Sequence, residues 1–230
     1  MKKIRFGKLY PYIDVPTPAR NHIADWYIKA KRINSKEVHI KNGDSNKVAK
    51  MCVPFIDGMS AGYTAVLWQD VEVTKDPVTF SWRINQEHSI VGLTGTDITS
   101  SMAIPVPEGH STKLFTWESP FEMITPPGYS LLVTHPINRF DLPFTTMTGI
   151  QDSDSPLPIP QAIPFFMKED FEGIVPAGTP IFQVIPIKRE NWKAVEDTEA
   201  TESGKKAFFM ASRVAYGWYR DNVWKKKNYE

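Results

Sequence analysis

Three polar side chains follow an apolar segment in the middle of the chain and offer the best prospect of chemistry. The segment YSLLVTHPINR places His135, Asn138 and Arg139 directly after a run of strand-forming residues. An arginine presents its donors in a planar fork that can hold a carboxylate or a phosphate through two hydrogen bonds. The stretch is first of all a predicted structural strand, and these three residues, exposed at its end, are the best candidates in the sequence for binding a ligand.

Metal-ligating patterns are weak in this sequence. Its five histidines include no pair at the four-residue spacing of a helical zinc site, and Cys52 has no second cysteine beside it. Distant strands offer another route to a metal site, in which His135 and Asp141 would be joined by His88 or His110. Isolated histidines on strands more often serve as hydrogen-bonded structural residues, so we predict no metal site.

Phosphate-binding loops and acyl-transfer nucleophiles also lack their sequence signatures. The segment GLTGTDITSS contains Gly92 and Gly95 but lacks the lysine of a P-loop, so it is predicted to be a polar loop between strands. No GxSxG motif is present. Cys52 lies in KMCVPF, an apolar context that is typical of a buried thiol.

The overall composition is that of a globular chain with balanced charge. Among 230 residues there are 27 basic and 26 acidic side chains, which gives no electrostatic reason to expect a nucleic-acid partner. The single cysteine excludes an internal disulfide. No apolar run reaches signal-peptide length or the roughly 20 residues that span a bilayer. We expect a soluble, cytoplasmic protein that contacts no membrane and needs no cofactor.

Proline content and period-two patterning predict the elements that position these side chains. The 19 prolines are spread along the chain and keep its elements short, because proline removes a backbone donor and blocks helix continuation. Apolar and polar residues alternate in several segments, with a phase slip at Asp70 that indicates a bulge or bend. The sequence PPG at 126–128 predicts a turn, followed by a strand over 129–133. The predicted fold is mainly β, an antiparallel β-sandwich or a jelly-roll-like barrel, with strands in 49–58, 63–74, 78–84, 89–95, 111–125, 129–137, 162–168 and 180–190.

The C-terminal part of the chain has a helical pattern instead. Apolar residues recur there at the spacing of one helical face: Ala207, Ala211, Val214 and Trp218. A helix is therefore predicted from about Ser203 to Trp224. The chain then divides into a β-rich domain over 1–190, an acidic connector over 191–202 and a helical segment over 203–230.

Aromatic residues in the helical segment bear on the oligomeric state. They lie on more than one side of the predicted helix, so its own domain cannot cover them all. The helix is predicted to pack either on its own domain or on a neighbouring subunit. The excess of rings favours self-association as a dimer or trimer.

Two short patterns between residues 124 and 189 carry a resemblance to a known superfamily. They comprise Gly149, Asp152 and Asp154 in TGIQDSDS, and Gly178, Ile181 and Gln183 in AGTPIFQ. This segment resembles the β-clip superfamily of dUTPases and dCTP deaminases. The resemblance implies a β-clip-like barrel, a deoxynucleoside triphosphate as substrate, Mg²⁺ as cofactor and Asp152 as general base. It adds Asp152 and Asp154 to the ligand-binding candidates, and Glu172 is the acidic residue that a deaminase would need.

A second resemblance extends over more of the chain, from about Met51 to Lys193. Its motifs are WESP, TPPGYSLLVTHPINR, TGIQDSD and AGTPIFQVIPIKRENWK. They resemble those of a group of uncharacterised proteins from tailed phages and marine bacteria. This resemblance implies a phage-associated origin, with the protein in the host cytoplasm or the virion, and it implies no particular activity.

Two classes of function stay open at this point. In the first, the chain is a non-enzymatic structural or binding protein that forms homo-oligomers through its aromatic segment. In the second, it is a β-clip-type hydrolase or deaminase that acts on a deoxynucleoside triphosphate.

Overall fold

The computed structural model describes most of the chain: residues 2–30, 50, 52–75, 78–81, 89–93, 104–155, 161–210 and 218–230. Of the described residues, 38% lie in strands and 19% in helices. The predicted class, mainly β with a helical C-terminal segment, is confirmed.

The described residues contain fourteen strands. They are β1 Arg5–Lys8, β2 Thr17–Pro18, β3 Tyr63–Val66, β4 Val71–Lys75, β5 Val78–Ser81, β6 Val91–Leu93, β7 His110–Glu118, β8 Phe121–Ile124, β9 Tyr129–Thr134, β10 Phe144–Thr146, β11 Gly149–Asp152, β12 Ala162–Lys168, β13 Gly173–Val175 and β14 Pro180–Lys188. The helices are a 3-10 turn at Ala19–His22, α1 Asp25–Lys29, α2 Val53–Ser60, α3 Thr198–Phe209 and α4 Trp218–Asn222.

The strands form two larger sheets and two small ones, and every strand pair is antiparallel. The larger sheets have the orders β11-β9-β14-β3-β2 and β10-β12-β7-β6. A three-stranded sheet, β13-β4-β5, and the pair β1-β8 complete the β structure. The arrangement is a β-sandwich, and among the described residues no sheet closes into a barrel.

One apolar core joins both larger sheets. Leu131 and Val133 of β9 enter it from the first sheet, and Trp117 of β7 and Phe165 of β12 enter it from the second. The last two rings stack with their centroids 3.8 Å apart. Burying such rings removes large apolar areas from water, which is the main force that holds the two layers together.

Strand β9 lies between β11 and β14 and follows the predicted turn. Gly128 has φ 80°, which glycine adopts without strain, and the Tyr129 amide donates to the Pro126 carbonyl at 3.2 Å. Leu131 and Val133 are buried on one face, as their spacing predicts. The position of β9 at the centre of three strands decides where the candidate polar residues lie.

One predicted strand is wrong. Residues 53–58 of the predicted strand 49–58 belong instead to helix α2, Val53–Ser60, which carries a proline in its first turn. Proline is tolerated there because the amide it lacks would have no helical partner. Cys52 immediately precedes this helix and is exposed, so the prediction of a buried thiol is also wrong.

The phase slip at Asp70 is a break between two strands. β3 ends at Val66 and β4 begins at Val71, and the two strands belong to different sheets. The Asp70 carboxylate accepts a hydrogen bond from the Ala177 amide at 2.8 Å, which fixes this corner to the turn before β14.

The helical segment begins earlier than predicted. Helix α3 starts at Thr198, so the acidic connector is shorter than 191–202 and part of it is helical. Acidic side chains such as Asp197 favour a helix N-terminus, because they interact with its exposed amides and dipole. Ala211 and Val214 of the predicted helix lie outside the described residues, as do His88 and most of the loop 92–101.

Candidate functional site

His135 is held inside the fold as a neutral imidazole. Its Nε2 donates to the Arg139 carbonyl at 3.0 Å, and its Nδ1 accepts from the Thr146 amide at 3.2 Å. Burial lowers the pKa of His135, although the bond to the Arg139 carbonyl opposes that shift. Both ring nitrogens therefore serve to attach the segment after β9 to β10.

Arg139 already has an internal carboxylate partner. Its Nε donates to Asp141 Oδ1 at 2.9 Å and its Nη2 donates to Asp141 Oδ2 at 2.8 Å, a two-bond pair. Burial alone would raise the pKa of Asp141, but these bonds hold it below its usual value. Asn138 has φ 61°, a left-handed conformation that turns the chain tightly at this point. Residues 135–141 are called the His135 loop below.

Gln183 fixes the His135 loop to helix α2. The side chain lies on β14 and is only 1% exposed. Its Oε1 accepts from the Ile137 amide at 3.0 Å, and its Nε2 donates to the Gly58 and Ala61 carbonyls at 3.0 and 2.5 Å. A buried amide that satisfies three backbone groups stabilises the loop, the strand and the end of the helix together.

At the opposite end of β9, the two candidate aspartates meet Arg189. Asp152 Oδ1 accepts from Ser130 Oγ at 2.6 Å and from Arg189 Nη1 at 3.2 Å. Asp154 Oδ1 accepts from Arg189 Nη1 at 3.1 Å, and its Oδ2 accepts from Arg189 Nη2 and, at 2.8 Å, from the Gly128 amide. Gly128, Ser130, Asp152, Asp154 and Arg189 are called the PPG clasp below.

The two aspartates of the PPG clasp differ in how strongly their carboxylates are engaged and in how exposed they are. The hydrogen bonds from Arg189, followed by that from the Gly128 amide, lower the pKa of Asp154 to about 2. Such a carboxylate is a weak base at neutral pH. Its side chain is 18% exposed, whereas that of Asp152 is 73% exposed. Asp152 is therefore the carboxylate of the pair that solvent or a ligand reaches.

The sequence-based candidates divide into two clusters that do not meet. Asp152 pairs in register with Ser130, at the start of β9, whereas His135 follows the end of that strand. The five residue-to-residue steps from Ser130 to His135 span roughly 17 Å at about 3.4 Å per residue. Arg139 and Asp152 therefore do not converge on one pocket.

A cavity of about 500 Å³ lies beside the PPG clasp. Tyr129 lines it, next to the clasp residue Ser130, and Thr125 and Pro126 come from the turn before β9. Tyr63 and Pro186 contribute from β3 and β14. Its remaining walls are the N-terminal residues Lys2, Lys3 and Ile4 and the residues Asn228, Tyr229 and Glu230.

The segment 224–230, called the tail below, returns to the β domain after helix α4. Trp224 Nε1 donates to Asp57 Oδ2 at 2.7 Å, and Lys227 Nζ donates to the same oxygen at 2.5 Å. The Tyr63 hydroxyl donates to the Glu230 carbonyl at 3.1 Å. Burial raises the pKa of Tyr63, with Tyr229 and Glu230 adding to the shift, so the phenol stays protonated and donates.

Between the PPG clasp and the tail, the chain exposes large apolar side chains. The segment 190–222, called the arm below, contains helices α3 and α4. Trp192 is 87% exposed and Phe209 is 52% exposed, and Val195 is exposed with them. A monomer rarely leaves so many large apolar groups in water along one segment.

The residues behind the β-clip resemblance have mostly structural positions. Gly178 has φ 82° in the turn before β14, and Ile181 and Gln183 are buried on that strand. Glu172 is exposed just before β13, which belongs to another sheet than Asp152.

The histidines form no metal site in the part of the chain that the structure describes. No cluster of three or more His, Cys, Asp or Glu side chains there could hold a metal ion. The His110 ring bonds to the Glu108 carbonyl and to Thr145 Oγ1, each at 2.9 Å. The same described residues include no helix with the length and apolar character to cross a membrane.

Sequence reasoning missed Arg189, which organises one of the two clusters. Its only local signal is a basic run at the end of a predicted strand. The partners of Arg189 follow from the register between β14 and β9, in which Lys188 pairs with Tyr129. The local sequence does not determine that register. Comparison with protein-family models gives no match, and comparison with curated proteins gives none either.

Proposed function

We propose that this chain is a non-enzymatic structural or binding protein that works as a homo-oligomer and associates through its arm. The observation that carries the proposal is the exposure of Trp192, Val195 and Phe209 along a segment anchored at both ends to a well-packed β-sandwich.

The polar candidates support a role other than catalysis. His135 uses both ring nitrogens to attach a loop, and Arg139 is bound to Asp141. Asp154 is tied to Arg189 and to a backbone amide. Groups engaged in this way stabilise the fold, and a catalyst would have to break those bonds to use them.

Helix α3 is charged in a way that favours pairing with a second copy of itself. Exposed Glu202 lies in its middle and contacts Lys205 of the same helix at 2.6 Å, and exposed Lys206 lies nearer its end. Two copies packed antiparallel about a two-fold axis would set the acidic part of each helix against the basic part of the other. A second copy of the chain therefore fits this surface by charge as well as by apolar character.

The energy available from the arm is sufficient for association. Fully burying a large apolar side chain is worth roughly 1.5–3 kcal/mol. Two copies that each cover Trp192, Val195 and Phe209 would offset much of the entropy lost when two molecules combine.

Light scattering on the full-length chain at tens of micromolar tests this proposal. We expect a dimer, and we expect Trp192→Glu combined with Phe209→Glu to give a folded monomer. The matched control is Phe140→Glu, since Phe140 is a 73% exposed ring on the His135 loop, outside the arm segment. A full-length chain that is monomeric, or a dimer unaffected by the double change, contradicts the proposal.

We propose a phage setting for this assembly because the motifs of residues 51–193 resemble those of tailed-phage proteins. In that setting the protein would be a virion component or would assemble in the host cytoplasm. Mass spectrometry of purified particles and of the infected-cell lysate distinguishes the two locations.

One observation favours the nucleotide-handling alternative. Asp152 is largely exposed, and its register partner Ser130 adjoins Tyr129, which lines a cavity large enough for a small ligand. In this alternative Asp152 activates water and Mg²⁺ accompanies the substrate. Incubation with a panel of deoxynucleoside triphosphates and Mg²⁺, followed by chromatography, shows pyrophosphate or ammonia release only if the alternative holds.

A further inference from the structure

The cavity beside the PPG clasp arises where the five-stranded sheet stops on one side of β14. β3 pairs with β14 only as far as the partners Tyr63 and Val184, so β14 continues without that neighbour at Pro186. A proline at this position leaves no amide to be satisfied on the uncovered side. Instead of a strand, the N-terminal residues and the tail close the gap.

Aromatic rings dominate the apolar part of this cavity. Tyr63 and Tyr229 lie edge to face with their centroids 6.2 Å apart, and Tyr129 lines the wall beside the turn. Pro126 and Pro186 add flat apolar surfaces. Such a lining favours a planar, apolar ligand body that contacts the faces of the rings.

Positive charge dominates the polar part. Lys2 and Lys3 line the cavity, whereas Glu230 is the acidic residue in the lining. The Lys2 ammonium lies 4.1 Å from the centre of the Tyr129 ring and also donates to its hydroxyl, so it is positioned at the wall. This charge suits one anionic group, and the single carboxylate is too few for a divalent cation.

We propose that this cavity binds a small aromatic anion, a planar ring system with one carboxylate, sulfonate or phosphate group. The rings of Tyr63, Tyr129 and Tyr229 contact the planar body, and Lys2 and Lys3 bind the anionic group. The volume of about 500 Å³ holds one such molecule. The site is independent of the self-association proposed for the arm.

A matched pair of fluorescent probes tests the site on the full chain. The anionic probe is 8-anilinonaphthalene-1-sulfonate, and N-phenyl-1-naphthylamine is its neutral analogue without the sulfonate. We expect saturable binding of one sulfonate probe per chain. Replacing both lysines, Lys2→Gln with Lys3→Gln, should raise the dissociation constant of the sulfonate at least tenfold, about 1.4 kcal/mol. The same change should leave binding of the neutral probe within about twofold.

Further variants locate the binding. Tyr229→Ala removes a ring and should weaken both probes, whereas Lys75→Gln, an exposed lysine on β4, should weaken neither. Circular dichroism checks that each variant is folded. Absence of saturable binding, or a sulfonate affinity unchanged in the double lysine variant, overturns the proposal. Loss of binding in the Trp192→Glu, Phe209→Glu variant overturns the proposal too, because the probe would then be binding to the arm and not in the cavity.

Discussion

At the start of β9, the PPG clasp is held by an ion pair between charged side chains. At the end of β9, neutral side chains, His135 and Gln183, attach the His135 loop to the rest of the fold. Asp154 and Arg189 form the first attachment at a partly exposed edge, and His135 and Gln183 form the second in a more buried place. The difference shows that one strand is anchored at its two ends by interactions with different dependences on solvent and pH. The buried, neutral end should be the more sensitive to mutation, since unpaired polar groups there have no access to water.

The largest effect is expected from Gln183→Leu. The change removes three hydrogen bonds and takes this partner from the Ile137 amide and the Ala61 carbonyl, whereas the Gly58 carbonyl still accepts from the Ala61 amide at 3.3 Å. We expect the free energy of unfolding to fall by about 3 kcal/mol or more. Urea unfolding measures it, with Gln151→Leu on edge strand β11 as the control, for which we expect a change within about 0.5 kcal/mol. Equal losses in the two variants would remove the contrast between the buried Gln183 and the half-buried Gln151.

A fall in pH should weaken the His135 loop before it affects the PPG clasp. An unfolded histidine binds its proton near pH 6.5, but burial lowers the pKa of folded His135. Between those two pKa values the unfolded chain holds more protons, so the free energy of unfolding falls as the pH drops below about 6.5. For Asp154 the corresponding fall runs from near its ordinary pKa of 3.8 down to about 2.

Urea unfolding at a series of pH values separates these two ranges. His135→Gln should flatten the dependence below about pH 6.5, and Arg189→Gln should flatten it only below about pH 4. His22, whose pKa is also lowered by burial, acts in the first range, so His22→Gln serves as a companion variant. A profile for His135→Gln that parallels the unmodified chain would show that His135 does not govern the upper range.

A smaller effect is expected when the PPG clasp itself is opened. Arg189→Gln removes the donors that join Asp152 and Asp154 to β14, at a site where water can replace part of what is lost. We expect a lower Tm, with a decrease smaller than that of Gln183→Leu. Lys188→Gln, the neighbouring residue that pairs with Glu190, should leave the Tm nearly unchanged. If both variants melt alike, Arg189 has no special role at this end of β9.

The smallest effect is expected from Asp152→Asn. Its side chain is mostly exposed, and an asparagine oxygen can still accept the bond from Ser130. The free energy of unfolding should change by about 1 kcal/mol or less. No change in turnover of deoxynucleoside triphosphates is expected. Reproducible turnover that disappears in the Asn variant would favour the nucleotide alternative over the structural proposal.

The sequence supports prediction of the sandwich better than of the polar clusters. Alternating residues such as Leu131 and Val133 report which face is buried, because the side-chain direction in a strand follows local geometry. A short apolar run such as the one within 49–58 is compatible with either a strand or a helix. Contacts with the rest of the fold decide between them, and here the result is helix α2. Helix α3 begins at Thr198, before the predicted start at about Ser203, because acidic residues that are typical of a polar linker also stabilise a helix N-terminus.

The clusters depend on strand register, which residues distant in sequence determine. His135, Asn138 and Arg139 are close in sequence and stay close in space. Asp152 and Asp154 are also ligand-binding candidates, but antiparallel pairing of β11 with β9 places them at the opposite end of β9. Arg189 arrives there through β14. A one-residue shift in either pairing would have produced different partners.

The tail makes the arm a closed loop, because residues on both sides of the arm are attached to the β-sandwich. The Arg189 amide donates to the Gly128 carbonyl, and Trp224 and Lys227 hold Asp57. The entropy cost of closing a flexible loop grows only with the logarithm of its length, about 0.6 kcal/mol for each doubling. Insertions within the arm should thus alter its reach with little effect on the sandwich, so under the proposed association the spacing between paired molecules could change while the sandwich is kept.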